Sequence, residues 1–405
     1  MKACFLPADI LLPAPGVDLE KWAVIACDQF TSQRAYWMEA ASLVGTSPST
    51  LSMICPEAWL NTGKVQIPEI HRAMREALSS GVLQEWVKDG FVLVRRTTPS
   101  GERLGLVGKL DLEQYDFTPG TSAPVRATEG TILARIPPRL QIREGAPLES
   151  PHIMMLVDDP GMQLIEPLAG EDLPELYDVE LMLGGGHLSG YAVEGERAAQ
   201  IAQKIETMQA ASGGFFLTAG DGNHSLATAK THWENLKKTL PPDEQENHPA
   251  RYALCELVNL HSPALVFQPI HRVVFGEDGK KLLKGFRAFV KAQGMGLLEG
   301  EEIVFCQKNW RCGVSIAGRG DRLPIDLLQH FLDDKQVTLD YVHGERDALG
   351  FSQSAVALLL CAMDKPDLFP AVAAGGVLPR KTFSMGENRE KRYYMEMRSL
   401  LKPCP

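Results

Sequence analysis

The sequence lacks a Cys-x-x-Cys pair, a surplus of basic side chains and any run of the roughly 20 apolar residues that a membrane span needs. Its eight cysteines are scattered, which argues against a zinc ribbon or a disulfide framework and predicts buried thiols in a reducing compartment. Without a signal-peptide h-region, a cytoplasmic protein is expected. The net charge of −10 argues against nucleic acid or an anionic membrane as a partner, because both need a basic surface.

Familiar catalytic motifs are missing as well. The chain has no P-loop, no His-Glu-x-x-His, no Gly-x-Ser-x-Gly elbow and no kinase signature. Gly220-x-Gly222 matches the start of a dinucleotide fingerprint, but Ser225 stands where the third glycine belongs, so a Rossmann site is not indicated. What the chain does have is an ordinary globular composition. Its 405 residues are 44% hydrophobic and 23% charged, which allows a large buried core.

Apolar runs and helix-periodic segments alternate and predict an α/β or α+β fold with a mixed sheet flanked by helices. We expect two subdomains, at residues 1–190 and 191–405, or one intertwined domain. Strands are predicted at 22–27, 91–96, 104–110, 153–157, 251–260, 264–275 and around 302–316, and helices at 31–44, 65–83, 194–210, 280–293, 324–335 and 352–364. The Pro- and Gly-rich residues 115–150 carry several arginines, so we expect either a linker or the lining of an anionic pocket.

The densest chemistry lies at residues 220–225, where an apolar strand runs into a glycine turn and then a helix-like segment. Backbone N–H groups and the dipole at a helix start favour an anion. Asp221 and Asn223 share the turn with His224, which the acid could orient. Alternatively, they only satisfy the turn and cap the helix. Asp28, at the end of the predicted strand 22–27, is likewise either a ligand residue or a helix N-cap.

Several stretches, in order, resemble the DUF1015 family of proteins of unknown function. The family hallmark, Asp-Gly-His-His-Arg after an apolar strand, is similar to residues 221–225. Its Pro-Thr-His-Arg-like element is similar to residues 268–272, and its Met-Pro-Arg-Lys-Ser-Thr-like element to residues 378–382. A family Tyr-Asp corresponds to residues 27–28 and a Glu-His-Thr element to residues 129–131.

This chain departs from the family pattern at positions that carry charge. Asn223 and Ser225 stand where the hallmark has His and Arg, and Gly130 stands where the family Glu is followed by His. If the family uses that Arg to bind phosphate, another arginine must take this role here.

The hallmark also resembles a turn of the ParB-like and sulfiredoxin-like superfamily, which includes free serine kinases. This resemblance implies a nucleotide-binding enzyme that transfers a phosphoryl group to a small hydroxyl-bearing metabolite such as an amino acid, with ATP or ADP and Mg²⁺ as cofactors. The implied catalytic residues are His224, Asp221, Glu129 and Asp28, and Asp221 is also the candidate metal ligand. The implied ligand- and phosphate-binding residues are Gly220, Gly222, Asn223, Ser225, Arg139, His271, Arg272, Arg380 and Lys381.

Two other functions stay open on the sequence. A non-catalytic nucleotide- or metabolite-sensing module would bind a ligand without turnover, and the missing hallmark Arg fits it. A metal-dependent hydrolase would use Asp28, Asp221 and His224. The sequence sets no oligomeric state, and a homo-oligomer stays open.

Overall fold

The computed structural model describes residues 2–60, 66–150 and 152–402, and the chain forms two compact units. The first unit comprises Met1–Ala127, Thr131–Leu265 and Glu387–Pro405, and the second comprises Thr128–Gly130 and Val266–Gly386. The larger part of the second unit is therefore an insertion between Leu265 and Glu387. The division drawn from the sequence at residue 190 falls inside a strand of the first unit, Gly186–Val193.

The first unit is built on a mixed sheet. The strands of this sheet are β1 (Phe5–Leu6), β2 (Ala8–Pro13), β3 (Leu83–Thr98), β4 (Gly101–Asp111), β5 (Tyr115–Asp116), β6 (Val125–Arg126), β8 (Met154–Val157), β9 (Glu175–Leu181), β10 (Gly186–Val193), β11 (Leu217–Asp221) and β12 (Tyr252–Asn259). The strand β7 (Leu148–Glu149) pairs with a last short strand, Arg398–Ser399, in a separate two-stranded sheet. The order across the sheet is β5-β6-β11-β8-β12-β4-β3-β10-β9, with β1 beside β4 and β2 beside β3. The pairs β6–β11 and β8–β12 are parallel, whereas β3–β4 and β4–β12 are antiparallel. The mixed α/β architecture predicted from the sequence is confirmed.

Helices cover both faces of this sheet. They are α1 (Leu19–Trp22), α2 (Arg34–Val44), α3 (Glu57–Leu60), α4 (Ile67–Ser79), α5 (Ile136–Arg143), α6 (Gly195–Ala211), α7 (Asn223–Leu236) and α8 (Pro242–Gln245). Val92 and Val94 of β3 belong to a buried cluster with α2 and α4. Phe91 and Leu93 belong to another with α6 and α7, because successive strand side chains point to opposite faces. Within the described part of the chain, no helix combines the length and apolar content of a membrane span.

The strand predicted at residues 22–27 is wrong, because Trp22 ends α1 and Ile25 forms only an isolated bridge to Tyr393. Residues 115–150, expected as a linker or the lining of an anionic pocket, contain the helix α5, with Pro137 in its first turn, and Arg139 and Arg143 of that helix line a cavity. Proline is tolerated there because the N–H group it lacks would have no partner within the helix. The N-cap interpretation of Asp28 is wrong, since α2 begins at Arg34 with Gln33 as its N-cap.

The second unit has its own sheet and helices. Its strands are β13 (Phe267–Phe275), β14 (Gly296–Gln307), β15 (Trp310–Ala317), β16 (Thr338–His343), β17 (Val356–Leu360) and β18 (Phe383–Met385), and its helices are α9 (Gly279–Ala292), α10 (Pro324–Asp334), α11 (Glu345–Gly350) and α12 (Leu368–Gly375). The strand order is β15-β14-β17-β13-β16, with β18 beside β13. The helix predicted at residues 352–364 is wrong. All of β17 is buried between β14 and β13, and a short apolar run fits a central strand as well as a helix.

The C-terminal segment, residues 387–399, belongs to the first unit and is held there by buried ion pairs. Arg392 pairs with Glu256 of β12 and with Glu396. Arg398 donates from Nε to Glu149 at 2.7 Å. Burying a charge is tolerated only when it is paired and hydrogen-bonded, so these pairs tie the segment to one position. It carries two residues of the candidate site.

Candidate active site

The strand–turn–helix predicted at residues 220–225 is present, and Gly222 is its pivot. The β8–β11 register shifts between Ala219 and Asp221, which makes Gly220 the extra residue of a bulge. Gly222 then has a φ of +77° and forms the N-cap of α7. A Cβ there would lie 3.0 Å from Ile153 Cα. A glycine is therefore required both by the backbone conformation and by the close approach of β8.

Asp221 of this turn is held from two sides. Its Oδ1 accepts the N–H of Gly222 at 2.9 Å, and its Oδ2 lies 3.2 Å from Nζ of Lys391. Lys391 comes from the C-terminal segment, and its side chain is 11% exposed. A nearly buried ammonium thus stands beside the first turn of α7, where the helix dipole adds positive potential.

A second cluster centres on His152, next to β8. Its Nε2 lies 3.1 Å from Ser225 Oγ and 3.7 Å from Asp28 Oδ2. Its Nδ1 lies 2.8 Å from the hydroxyl of Tyr394, which also accepts the N–H of Cys27 at 3.1 Å. The phenol pairs with Nδ1, and we place a proton on Nε2, which then points at Ser225 and Asp28.

The electrostatics of this cluster keep Asp28 ionised. Burial alone would raise the pKa of the Asp28 carboxyl, but His152, the hydrogen bond from Gln29 and the charge of Lys391 outweigh it and lower the pKa. The Gln29 amide donates at 2.9 Å. Burial raises the pKa of Tyr394 well above its usual range, which keeps the phenol a hydrogen-bond donor. Lys391 therefore acts on both carboxylates, Asp28 and Asp221.

His224 and Asn223 begin α7 itself. The Nε2 of His224 accepts the backbone N–H of Ile132 at 3.3 Å, and its carbonyl accepts from the Thr228 hydroxyl at 2.7 Å. His224 thus carries its ring proton on Nδ1 when neutral. The catalytic role predicted for it stays a prediction.

A cavity opens beside His152 and Ser225, and Arg139 of α5 lines it. Arg139 pairs with Glu57 and donates to the carbonyl of its own helix at Arg135, 2.6 Å away. The predicted phosphate contact through Arg139 would have to compete with Glu57.

Arg272 of the second unit is 0% exposed. Its guanidinium donates to the carbonyl oxygens of Lys381 at 2.8 Å and Arg380 at 3.1 Å, and its Nε donates to Gln329 at 3.1 Å. The side chains of Arg380 and Lys381 are exposed. Arg272 is thus placed to support the loop that presents these two cations, whereas the phosphate contact predicted for it would require an accessible guanidinium.

Glu129 and His271 also lie in the second unit. Glu129 Oε1 accepts the N–H of Lys381 at 3.1 Å, and its backbone bridges Leu378. His271 is buried, and its Nδ1 accepts the N–H of Leu360 at 3.1 Å. Burial lowers the His271 pKa, as expected for an imidazole that is kept neutral.

Three members of the site were not predicted from the sequence: His152, Tyr394 and Lys391. His152 precedes the strand β8, which was predicted, so an inspection of strand ends could have found it. The C-terminal Lys-Arg-Tyr-Tyr stretch, residues 391–394, combines charges and aromatics. Its burial depends on partners more than 100 residues away in sequence, such as His152 and Asp221, and no local pattern reveals that.

The arrangement of acids and imidazoles limits the metal chemistry. In residues 2–60, 66–150 and 152–402, no three His, Cys, Asp or Glu side chains are grouped to hold a metal ion. A Mg²⁺ ion bound with a nucleotide needs only one or two protein carboxylates, because phosphate oxygens and water fill its other positions. Asp28 and Asp221 fit that requirement better than they fit an all-protein metal site.

Solved structures show only distant similarity to this chain. A free serine kinase variant in complex with ADP is 10% identical, with a TM-score of 0.37, and the match covers 69% of this chain and 93% of that one. A conserved hypothetical protein from Pyrococcus furiosus is 11% identical, with a TM-score of 0.32, over 71% and 90% of the two chains. SbnI from Staphylococcus aureus, with a C-terminal truncation, is 9% identical, with a TM-score of 0.37, over 69% and 82%. Similarity at this level carries no residue role over to this chain.

The family comparison is more decisive. No curated protein matches the chain. The model of the family described as "Protein of unknown function (DUF1015)" matches residues 11–337. The match includes Asp28, Glu129 and the turn at residues 220–225, and it ends before Arg380 and Lys391. The chain therefore belongs to the DUF1015 family.

Proposed function

We propose that this protein binds ATP or ADP with Mg²⁺ and transfers a phosphoryl group to a small hydroxyl-bearing metabolite. One observation carries the proposal. Next to the glycine turn that starts α7, the ammonium of Lys391 holds Asp221 and acts on Asp28, which in turn lies beside His152 and Ser225. Phosphoryl transfer needs positioning and charge neutralisation above all, and this cluster offers a cation, two carboxylates and a helix N-terminus.

The residues would divide the work as follows. The first turn of α7 and Lys391 bind phosphate oxygens. Asp221 is the carboxylate available to Mg²⁺. His152 Nε2–H orients Asp28 and Ser225, and Tyr394 pairs with its Nδ1. In the second unit, the exposed Arg380 and Lys381 would bind an anionic group.

The chemical step assigned to this chain is a proton transfer. Asp28, ionised by its surroundings, accepts the proton of the acceptor hydroxyl. The hydroxyl oxygen then bonds to the terminal phosphorus of the nucleotide, and the bond from that phosphorus to the bridging oxygen breaks. The shortened nucleotide, ADP from ATP or AMP from ADP, leaves with the electron pair of that bond. The lowered pKa of Asp28 makes it a weak base that is fully available at neutral pH.

Nucleotide binding is tested first. The full chain is melted with ATP, ADP and AMP, each with and without Mg²⁺, because a ligand that binds only the native state raises the melting temperature. We expect ATP or ADP with Mg²⁺ to give the largest rise. No rise with any nucleotide would remove the proposal.

Transfer is tested next with a panel of hydroxylated amino acids and hydroxy acids. Asp28→Asn is expected to lower turnover by about 10²- to 10⁴-fold, the usual contribution of a general base, and to keep nucleotide binding. The matched control is Asp178→Asn, since Asp178 also pairs with a histidine, His187 at 2.9 Å, but on the exposed surface. Equal activity of the two variants would exclude Asp28 as the base.

A nucleotide-sensing module is the second candidate, and a specific feature favours it. Asn223 and Ser225 lack the charge of the family hallmark, and the Ser225 hydroxyl lies against His152. This function predicts a melting shift with nucleotide, no transfer to any acceptor, and loss of the shift in Lys391→Ala.

A further inference from the structure

The cavity beside His152 has mostly apolar walls. Among the residues that line it are Met53, Ile54, Leu60, Met74, Ile142 and Leu148. Ser225, Thr228 and Tyr394 line the same cavity and supply hydroxyl groups. Pockets of this kind bind small molecules through apolar contact and a few placed polar groups. The site that we assign to proton transfer therefore adjoins an apolar chamber.

The charges around Glu149, which lies at the cavity wall, do not cancel when Arg398 behind the wall is included. Arg139 is balanced by Glu57. Glu149 faces two guanidinium groups, with Arg143 at 2.7 Å and Arg398 at 2.7 Å. Burial would raise the pKa of Glu149, but these two arginines hold it below its usual range, so Glu149 is ionised and the three groups carry one surplus positive charge.

Arg143 also has an unused donor. Its Nη2 donates to Glu149, but its Nε is buried and, among the described residues, has no hydrogen-bond partner. The same holds for the hydroxyl of Ser150, which lines the cavity with Arg143. A buried donor left unsatisfied destabilises the protein, because it loses its bond to water and gains none in return. Arg143 and Ser150 both line the cavity, so each brings a polar group with spare hydrogen-bonding capacity to its wall.

The positive charge of Arg143 also acts on a neighbouring imidazole, that of His232. Burial and the charge of Arg143 lower the pKa of His232 to about 4. His232 is therefore neutral at physiological pH and does not add to the charge. The anion attracted here faces one net positive charge and the nearby Glu149, which favours a monoanion over a dianionic phosphate.

We propose that this cavity binds a monocarboxylate with an apolar body, whose carboxylate accepts from the guanidinium of Arg143. This proposal rests on the proposed function and names the class of molecule that accepts the phosphoryl group. The acceptor is a hydroxylated carboxylic acid, with its hydroxyl turned toward Asp28 and His152. Because the walls are apolar, a purely polar metabolite is not the best ligand. Because the guanidinium of Arg143 can only donate hydrogen bonds, it does not bind an ammonium group.

The test measures binding without nucleotide, so that its outcome is separate from that of phosphoryl transfer. The full chain is titrated with hexanoate, hexanamide, acetate and hexyl phosphate, and binding is followed calorimetrically. We expect hexanoate to bind at least about tenfold more tightly than hexanamide, the worth of one charge-assisted hydrogen bond. Hexanoate should also bind more tightly than acetate, which lacks the apolar body, and more tightly than hexyl phosphate.

Variants assign the contact to Arg143. Arg143→Gln should lose the preference for hexanoate over hexanamide, and Glu149 keeps Arg398 as its partner. Arg197→Gln, which removes an exposed arginine paired with Glu171, should keep the preference. If Arg143→Gln does not fold, Ala146→Phe fills the cavity from its lining without changing charge, and should abolish hexanoate binding.

The opposite outcomes overturn the proposal. Equal binding of hexanoate and hexanamide would show that the cavity does not select a carboxylate. Tighter binding of hexyl phosphate would show that the cavity is a phosphate site. Hexanoate binding that survives both Arg143→Gln and Ala146→Phe would place the ligand elsewhere. A protein that binds hexanoate but no nucleotide would retain the cavity assignment and lose the phosphotransferase.

Discussion

At the scale of single residues, Gly222 carries both a conformational and a steric requirement. Gly222→Ala would place a Cβ 3.0 Å from Ile153 Cα at a φ of +77°. We expect a loss of roughly 2–4 kcal/mol in the free energy of unfolding, combining the left-handed backbone penalty with the clash. Urea denaturation measures it.

The control for this variant separates the two requirements. Gly213 also has a positive φ, +67°, but a Cβ there meets nothing within 4 Å. Gly213→Ala should therefore cost only the backbone penalty of about 1 kcal/mol. Equal losses in the two variants would show that the contact with β8 is not tight.

Tyr394 and Tyr115 form a second comparison between buried hydroxyls. Tyr394→Phe removes the partner of both the Cys27 N–H and His152 Nδ1, and should destabilise the protein by about 1–3 kcal/mol. The Tyr115 hydroxyl is buried and has no hydrogen-bond partner in the described residues. Tyr115→Phe should therefore be neutral or slightly stabilising. Denaturant titrations of both variants measure the free energies of unfolding. A large loss of stability in Tyr115→Phe would contradict this expectation.

At the scale of elements, the loop at residues 378–382 depends on one buried guanidinium. Arg272→Lys keeps the charge but loses the fork that bonds the carbonyls of Arg380 and Lys381. We expect trypsin to cleave after these two exposed residues several-fold faster than in the unchanged protein. Arg287→Lys, an exposed change on α9, is the control, and an equal cleavage rate in both variants would show that Arg272 does not hold the loop.

The elements also show what the sequence could predict. The turn at residues 220–225 was predicted because a strand, two glycines and a helix start lie next to one another in the chain, and local physics fixes them. The strand β17 was taken for a helix, since its buried position depends on β13 and β14, which come from other parts of the chain. Lys391 and Tyr394 were not predicted for the same reason, since their positions also depend on partners far away in the sequence.

At the scale of the molecule, acid should unfold the first unit through its buried carboxylates. Glu256 is 1% exposed, and although burial would raise its pKa, Arg392 and Arg103 lower it. A glutamate whose pKa is lower in the folded than in the unfolded protein stabilises the folded state at pH values above its unfolded pKa, about 4.3. This stability is lost as the pH falls through the pKa of the folded protein. We expect the free energy of unfolding to be nearly flat from neutral pH to about 5 and to fall steeply below about 4.3.

Glu256→Gln tests the source of this acid sensitivity. It should cost about 3–5 kcal/mol at neutral pH, because Arg392 and Arg103 lose a buried partner, and the variant should respond less to acid. Glu246→Gln, which removes an exposed partner of Lys2, should leave the pH profile unchanged. Parallel acid profiles for the unchanged protein and Glu256→Gln would place the sensitivity in other carboxylates.

The return of the chain to the first unit at Glu387 has a consequence for biosynthesis. A ribosome makes residues 266–386 after most of the first unit and before Lys391 and Tyr394. In the nascent first unit, Glu256 and Glu149 therefore lack their late partners Arg392 and Arg398 until residues 392–398 emerge. Translation that stops inside the insertion should release a chain that has the glycine turn but not its cation.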